Sequence, residues 1–204
     1  MRREQNIIND TPVSPAGYTQ LEYIESTGTQ YIDTNILLTN LHFVELTCNV
    51  SENSGNYLYG CHSQGKYVDH NMFVRSDVTC GRVRSGSSSN ESIYIYENLF
   101  GQWHTFGNGN RTFVVDGVSR TYSTSYSFTS GSTCYVFWSH SYNSSHDPGN
   151  PVPMKLSNFK ITLSGNCVMN CIPVLRNADG KPGLYDLVND VFYTNAGTGE
   201  FLYA

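Results

Sequence analysis

Charged side chains are the scarcest material in this sequence. Asp, Glu, Lys and Arg make up 14% of it, against a usual quarter. Lysine and alanine occur four times each, so the residues that normally clothe exposed helices are missing. There is no basic stripe, and the longest basic cluster is Arg2-Arg3. A chain with a net charge of −5 offers no positive field to displace counterions from phosphates, which excludes a nucleic-acid groove. No apolar run approaches the length of a membrane-spanning helix, so membrane insertion is not expected. Residues 1 to 17, MRREQNIINDTPVSPAG, hold no hydrophobic segment of signal-peptide length. Export by that route is therefore not expected, unless the signal is missing from the sequence. The six cysteines, at 48, 61, 80, 134, 167 and 171, form no CxxC and no dense framework. They are expected to be reduced and mostly buried, acting as small apolar residues.

In place of charge stand Ser, Thr and Asn, about 60 residues together, with 18 Gly and 15 Tyr. β-Branched and aromatic residues mixed with turn formers indicate an all-β chain. Its 204 residues fit one sandwich-sized domain that needs no disulfide or metal to fold. Residues 1–17 are polar, contain Pro12 and Pro15, and lack periodicity; they read as an arm able to attach to a partner. From residue 18 to 204 the chain breaks into short strands. Residues 42–50 are the clearest: Val44, Leu46, Cys48 and Val50 alternate with Phe43, Glu45, Thr47 and Asn49, the pattern of a half-buried strand. Asn108-Gly109 and Asp116-Gly117 predict two successive hairpins between 103 and 122. The first turn is expected at Gly107–Asn110, and later turns at Asp179-Gly180 and Pro182-Gly183. Residues 139–153 (SHSYNSSHDPGNPVP) read as a loop long enough to be functional. Ten or more strands with short turns imply a two-sheet antiparallel β-sandwich or jelly roll.

Two segments resemble a known family. The opening LEYIESTGTQYIDT (21–34) and the closing IPVLRNADGKPGLYDLVNDVFYTNAGTGEF (172–201) are similar to the ends of concanavalin A-like, laminin-G-like jelly-roll domains. Such domains occur in gut bacterial surface proteins and in phage structural proteins. Trp103-His104 with Val115-Asp116-Gly117 resembles their central hairpin. The resemblance implies a concanavalin A-like jelly roll over 18–204 and frequent carbohydrate or protein-surface binding. It does not settle function, because the fold carries lectins, glycosidases and scaffolds alike.

Catalytic patterns are not found. Laminarinase-like members carry a Glu-x-Asp-x-(x)-Glu strand that delivers acid and nucleophile to one cleft, and no such strand occurs here. Glu22 and Glu25 would face opposite sides of a strand, and Glu91 and Glu97 would lie about 20 Å apart. There is no Gly-x-Ser-x-Gly elbow, and Cys61-His62 would point to opposite faces. No catalytic residue is therefore assigned. His62, Asp69 and His70, and likewise His140, His146 and Asp147, lie close in sequence but lack metal-ligand spacing. No cofactor is assigned; calcium, which lectin-like relatives often hold, has no motif here.

Sugar binding needs flat aromatic faces ringed by planar polar groups. One set of candidates is Trp138, His140, Tyr142, Asn143, His146 and Asp147. The other is His62, Tyr67, Asp69, His70, Asn71 and Arg75, with Gln64 beside them and Tyr94 and Tyr96 on a sheet face. For Trp138 core packing is an equal reading, and for Tyr122 and Tyr126 it is the better one. The expectation is a phage virion protein, a head or tail decoration or fibre module. Residues 1–17 would bind other virion proteins, and the loops would bind host-surface polysaccharide without cleaving it. It would assemble in the host cytoplasm and could form a homo-oligomer such as a trimer. The alternatives are a bacterial cell-surface lectin or adhesin domain, a capsid cement and, less favoured, a glycoside hydrolase.

Overall fold

Period-two alternation becomes two sheets facing one another across a shared core. The structure, a computed structural model, describes residues 14–51, 57–63, 68–75, 78–84, 92–95, 99–122, 127–141 and 151–204. Among these there is no helix. The strands are β1 (Tyr18–Gln20), β2 (Ile24–Ser26), β3 (Ile32–Thr39), β4 (His42–Val50), β5 (Tyr57–Ser63), β6 (Val68–Arg75), β7 (Val78–Arg84), β8 (Ser92–Ile95) and β9 (Trp103–Gly109). They continue as β10 (Thr112–Val115), β11 (Val118–Thr121), β12 (Thr129–Val136), β13 (His140–Ser141), β14 (Met154–Leu163), β15 (Asn166–Arg176), β16 (Lys181–Asp186), β17 (Val191–Tyr193) and β18 (Leu202–Tyr203).

One sheet runs β11-β10-β9-β4-β14-β15-β16-β17, with β1 on β15, and β2 on β14 carrying β18. The other runs β3-β12-β5-β6-β7-β8, with β13 on β5. Between the described strands pairing is antiparallel except for β13 on β5, and an isolated bridge from Val50 to Phe100 is also parallel. The expected fold is therefore present: an antiparallel two-sheet jelly-roll sandwich.

Strand β4 shows how sequence sets the faces. His42, Val44, Leu46, Cys48 and Val50 are buried, and the residues between them are not. Opposite them, β5, β6 and β12 contribute Leu58, Tyr59, Cys61, Met72, Val74, Cys134 and Val136 to the same core. Strand β14 breaks the alternation. A bulge between Leu156 and Asn158 inserts Ser157, so Leu156 and Phe159, three residues apart, both point inward. Four of the five described cysteines are buried, and Cys167 is exposed.

Two expected turns are displaced. Strand β9 runs on through Gly107 and Gly109, and the hairpin turns at Asn110-Arg111, both with positive φ (43° and 65°). Gly107 is instead where the Phe43 ring packs on the backbone, leaving no room for a Cβ. Asp116-Gly117 does turn as expected, with φ of 48° and 81°. Pro182-Gly183 lies inside β16, and the turn falls at Asn189-Asp190, before β17.

The two family-like segments meet in space. The Asn195 carboxamide oxygen accepts the backbone N–H groups of Tyr31 (3.1 Å) and Gly197 (2.7 Å), and its Nδ2 donates to the Gly199 carbonyl. The Ala196 and Thr198 N–H groups donate to the carbonyls of Tyr31 and Thr29. Much of the recognisable sequence is thus structural: the NAGTG turn buttresses the STGTQY segment.

Candidate functional site

The outer face of the smaller sheet carries a rank of half-buried aromatic rings. In β12, Cys134 and Val136 point into the core, so Thr133 and Tyr135 point outward. Tyr31, one residue before β3, is held by Asn195 and Ala196 and stacks on Tyr135 with centroids 4.7 Å apart and planes at 28°. His140 stacks on the other side of Tyr135, at 4.1 Å and 14°. Trp138 meets Tyr31 edge-on at 5.2 Å and lies 6.0 Å from Tyr135. His140 Nδ1 shares a hydrogen bond with the Thr133 hydroxyl at 3.1 Å.

The chain reaches this arrangement through a strained residue. Phe137 is fully buried with φ of 70°, a left-handed conformation that bulky residues rarely adopt. It is fixed there by donation from its N–H to the Leu58 carbonyl and by its own carbonyl accepting from Val152. The bend folds residues 138–141 back over β5. Gly60 makes the overlap possible, because a Cβ there would stand 2.5 Å from Asn71 Cβ and 2.7 Å from Ser139 Oγ. Burial, then the neighbouring Tyr31 and Asp33, push the Tyr135 phenol up to about 12, so it remains a protonated donor at neutral pH. Beside Tyr31, whose ring lies against Gly197, a cavity of about 130 Å³ opens between Lys181, Thr194, Asn195, Glu200 and Phe201.

Trp138 and His140 are thus brought together, and Trp138 is half-buried rather than a core residue. His62 is half-buried, with its backbone N–H and carbonyl both bonded to the Ser132 hydroxyl. Tyr94 is exposed on β8. Two candidates point elsewhere. His70 is fully buried on the core face of β6, its ring between the Tyr59 hydroxyl (3.2 Å) and the His42 carbonyl (3.3 Å). Asn71 is 2% exposed beneath Ser139. Neither side chain reaches a polymer outside; His70 fails by strand parity and Asn71 by the covering bend. His62 and His70 consequently do not converge, and among the described residues no three His, Cys, Asp or Glu side chains do. Asp69 and Arg75 belong to the backbone of β6. Gln64, Tyr67, Tyr96, Tyr142, Asn143, His146 and Asp147 lie outside the described residues, as do Glu91, Glu97 and residues 1–13 of the arm.

Tyr31 and Tyr135 were not among the sequence candidates. The alternation Thr133-Cys134-Tyr135-Val136 was the available signal for Tyr135. Nothing local marks Tyr31, whose position depends on residues about 165 positions later.

A histidine–carboxylate pair lies in the other sheet. His104 Nδ1 is 2.6 Å from Asp116, which also accepts the Thr105 N–H. Partial burial raises the Asp116 carboxyl, but these two hydrogen bonds outweigh it and hold it below the usual carboxylate range. Cys48 faces His104 across the β4–β9 ladder. The three do not form a nucleophilic triad: burial pushes the Cys48 thiol far up, and His104 Nε2 has no hydrogen-bond partner among the described residues.

No protein-family model matches the sequence, and no curated protein matches it. Solved structures do resemble it. A protein from Bacteroides ovatus ATCC 8483, provisionally described as a carbohydrate binding protein, superposes with a TM-score of 0.53 at 10% identity, over 91% of this chain and 60% of its own. Domains LG4-5 of the mouse laminin alpha1 chain give 0.49 at 16% identity, over 82% of this chain and 47% of theirs. An alginate lyase variant gives 0.42 at 13%, over 62% of each chain. The chain thus spans about half to three-fifths of the length of these structures. The fold is that of concanavalin A-like, laminin-G-like jelly rolls.

Proposed function

We propose that this chain is a glycan-binding jelly-roll module carried on a phage virion, as a head or tail decoration or fibre element. It holds host-surface polysaccharide without cleaving it. The observation that supports glycan binding is the outward rank of Tyr31, Tyr135 and His140 with Trp138 at its edge. Tyr31 and His140 cover the two faces of Tyr135, so the central ring fixes the rank, and its end rings and edges are what a sugar would meet with its C–H side and hydroxyls. The ring positions are set in advance by hydrogen bonds between Asn195 and the Tyr31 backbone and between Thr133 and His140, which lowers the ordering cost of binding. The virion setting is supported by the likeness of the two end segments to phage structural domains. In it, residues 1–17 attach the module to other virion proteins. Many copies, trimeric or otherwise clustered, raise a weak single-site affinity through effective concentration.

A second reading is a bacterial cell-surface lectin or adhesin domain, favoured by the Bacteroides origin and description of one structural neighbour. The purified protein should be tested against gut bacterial cells and their isolated polysaccharides, with and without EDTA, while reducing ends are followed. Binding that is weakened about tenfold in Tyr135→Ala, with no new reducing ends, is expected. New reducing ends would overturn the non-catalytic reading in favour of a glycoside hydrolase. Deletion of residues 1–17 should abolish incorporation into particles; unchanged incorporation would remove the arm from the proposal.

A further inference from the structure

The opposite sheet carries a second surface that the aromatic rank does not use. Strand register places five residues in a row across its outer face. Trp103 of β9 is paired with Asn49 of β4, Asn49 with Lys155 of β14, Lys155 with Glu25 of β2, and Glu25 with Leu202 of β18. Five strands span about 19 Å at the usual spacing. Parity turns the middle residues outward, because Cys48, Val50, Met154, Leu156, Ile24 and Ser26 on either side of them are buried. Trp103 is 44% exposed and Leu202 55%.

Tyr23 completes the surface. Its ring lies 6.1 Å from Trp103 at 52°, and the Lys155 ammonium sits 4.7 Å from the ring centroid. The N–H groups of Glu22 and Tyr23 both donate to the Ala204 carbonyl, which anchors the segment. The two rings therefore meet at a fixed angle, like adjacent walls of a corner. Among the described residues, no hydrogen bond or ion pair engages the side chains of Asn49 or Glu25. An amide, a carboxylate and an ammonium thus line the row beside an exposed tryptophan.

These groups fit one class of ligand. The rings take the C–H face of a sugar, and the amide and charged groups take its hydroxyls. One ammonium is matched by one carboxylate along the row, and the chain carries −5 overall. A polyanion would be repelled at long range, so the matching occupant is an uncharged polysaccharide lying across the strands. We infer that this face is a second glycan-binding surface, so that one molecule bridges two polysaccharide chains. The inference takes its ligand class from the proposed function but stands on a different sheet.

Affinity electrophoresis and turbidity with a soluble β-glucan, a mannan and a xylan test it, with alginate as the anionic control. At least one neutral polymer should become turbid with the wild-type protein, and alginate should not. Trp103→Ala should abolish turbidity while electrophoretic retardation persists, and Trp103→Phe should restore it. Tyr135→Ala should behave like Trp103→Ala, and the double variant should lose retardation at least tenfold. Turbidity unchanged in Trp103→Ala overturns the inference, as does loss of all binding in Tyr135→Ala alone. Retardation abolished by Trp103→Ala but untouched by Tyr135→Ala overturns the aromatic rank instead and leaves this face as the site. A Trp103-dependent dimer in sedimentation without polymer would make the face a self-association surface and overturn the inference. So would the absence of binding to all three neutral polymers.

Discussion

The two faces of the smaller sheet use the same residue types for opposite ends. Against the inner side, Asn108 of β9 reaches across from the larger sheet: it donates to the Tyr59 hydroxyl (2.8 Å) and the Asn71 carbonyl (2.9 Å) and accepts from the Tyr122 hydroxyl (2.5 Å). Tyr59 contacts His70, and His70 contacts the His42 carbonyl. On the outer side, Tyr31, Tyr135 and His140 stack on one another and stay half-buried, and His140 shares a hydrogen bond with the Thr133 hydroxyl. A tyrosine–histidine–asparagine composition therefore says nothing about recognition by itself. What separates the two is depth: the inner groups are sealed from water and must satisfy one another, whereas the outer ones keep part of their surface in solvent.

The comparison breaks if the inner network can be removed without loss of stability. Asn108→Leu takes one hydrogen bond from each of two buried hydroxyls and a carbonyl, and should cost about 3 to 5 kcal/mol in denaturant unfolding. Acid sharpens the same point. Burial lowers His70 from 6.5 to about 4, against the opposing hydrogen bond to the His42 carbonyl. Below pH 6.5 the unfolded chain gains a proton that the native chain refuses. Stability is therefore full above that pH and falls as pH drops toward 4, by about 3 kcal/mol. His42, also lowered by burial, acts in the same direction. Urea midpoints measured between pH 7 and 4 should fall accordingly, and His70→Gln should flatten the trend.

Gly60→Ala tests the junction between the two faces. The added Cβ must move Asn71 or the Ser139 bend, and a loss of about 1 to 3 kcal/mol is expected in thermal unfolding. Tyr135→Ala should change the order of effects, weakening glycan binding about tenfold (about 1.4 kcal/mol) in titration calorimetry with smaller loss of stability. The smallest effect belongs to Asp116→Asn. The Asp116 side chain is half exposed, and the turn tolerates Asn at positive φ, so chemical denaturation should detect under about 1 kcal/mol.

Some of this was legible in the residues. Strand β4 could be read face by face because its alternation is unbroken over nine positions. The Asp116-Gly117 turn was legible because its chemistry is local. His70 was misplaced because His62, Asp69, His70 and Asn71 are polar on both parities, so hydropathy cannot say which side faces in. The Gly107–Asn110 turn was misplaced because those glycines answer to Phe43 and His42, far away in the chain.

The sequence by itself determined the class of fold, since short-range alternation and turn chemistry act within a few residues. It also determined the two recognisable ends, whose docking depends on glycines and on the Asn195 carboxamide. Only the tertiary structure decided the sites. The Ser157 bulge, the left-handed Phe137 and the closeness of Ser139 to Gly60 are set by packing between strands distant in sequence. Those contacts turn some tyrosines and histidines toward solvent and lock others inside.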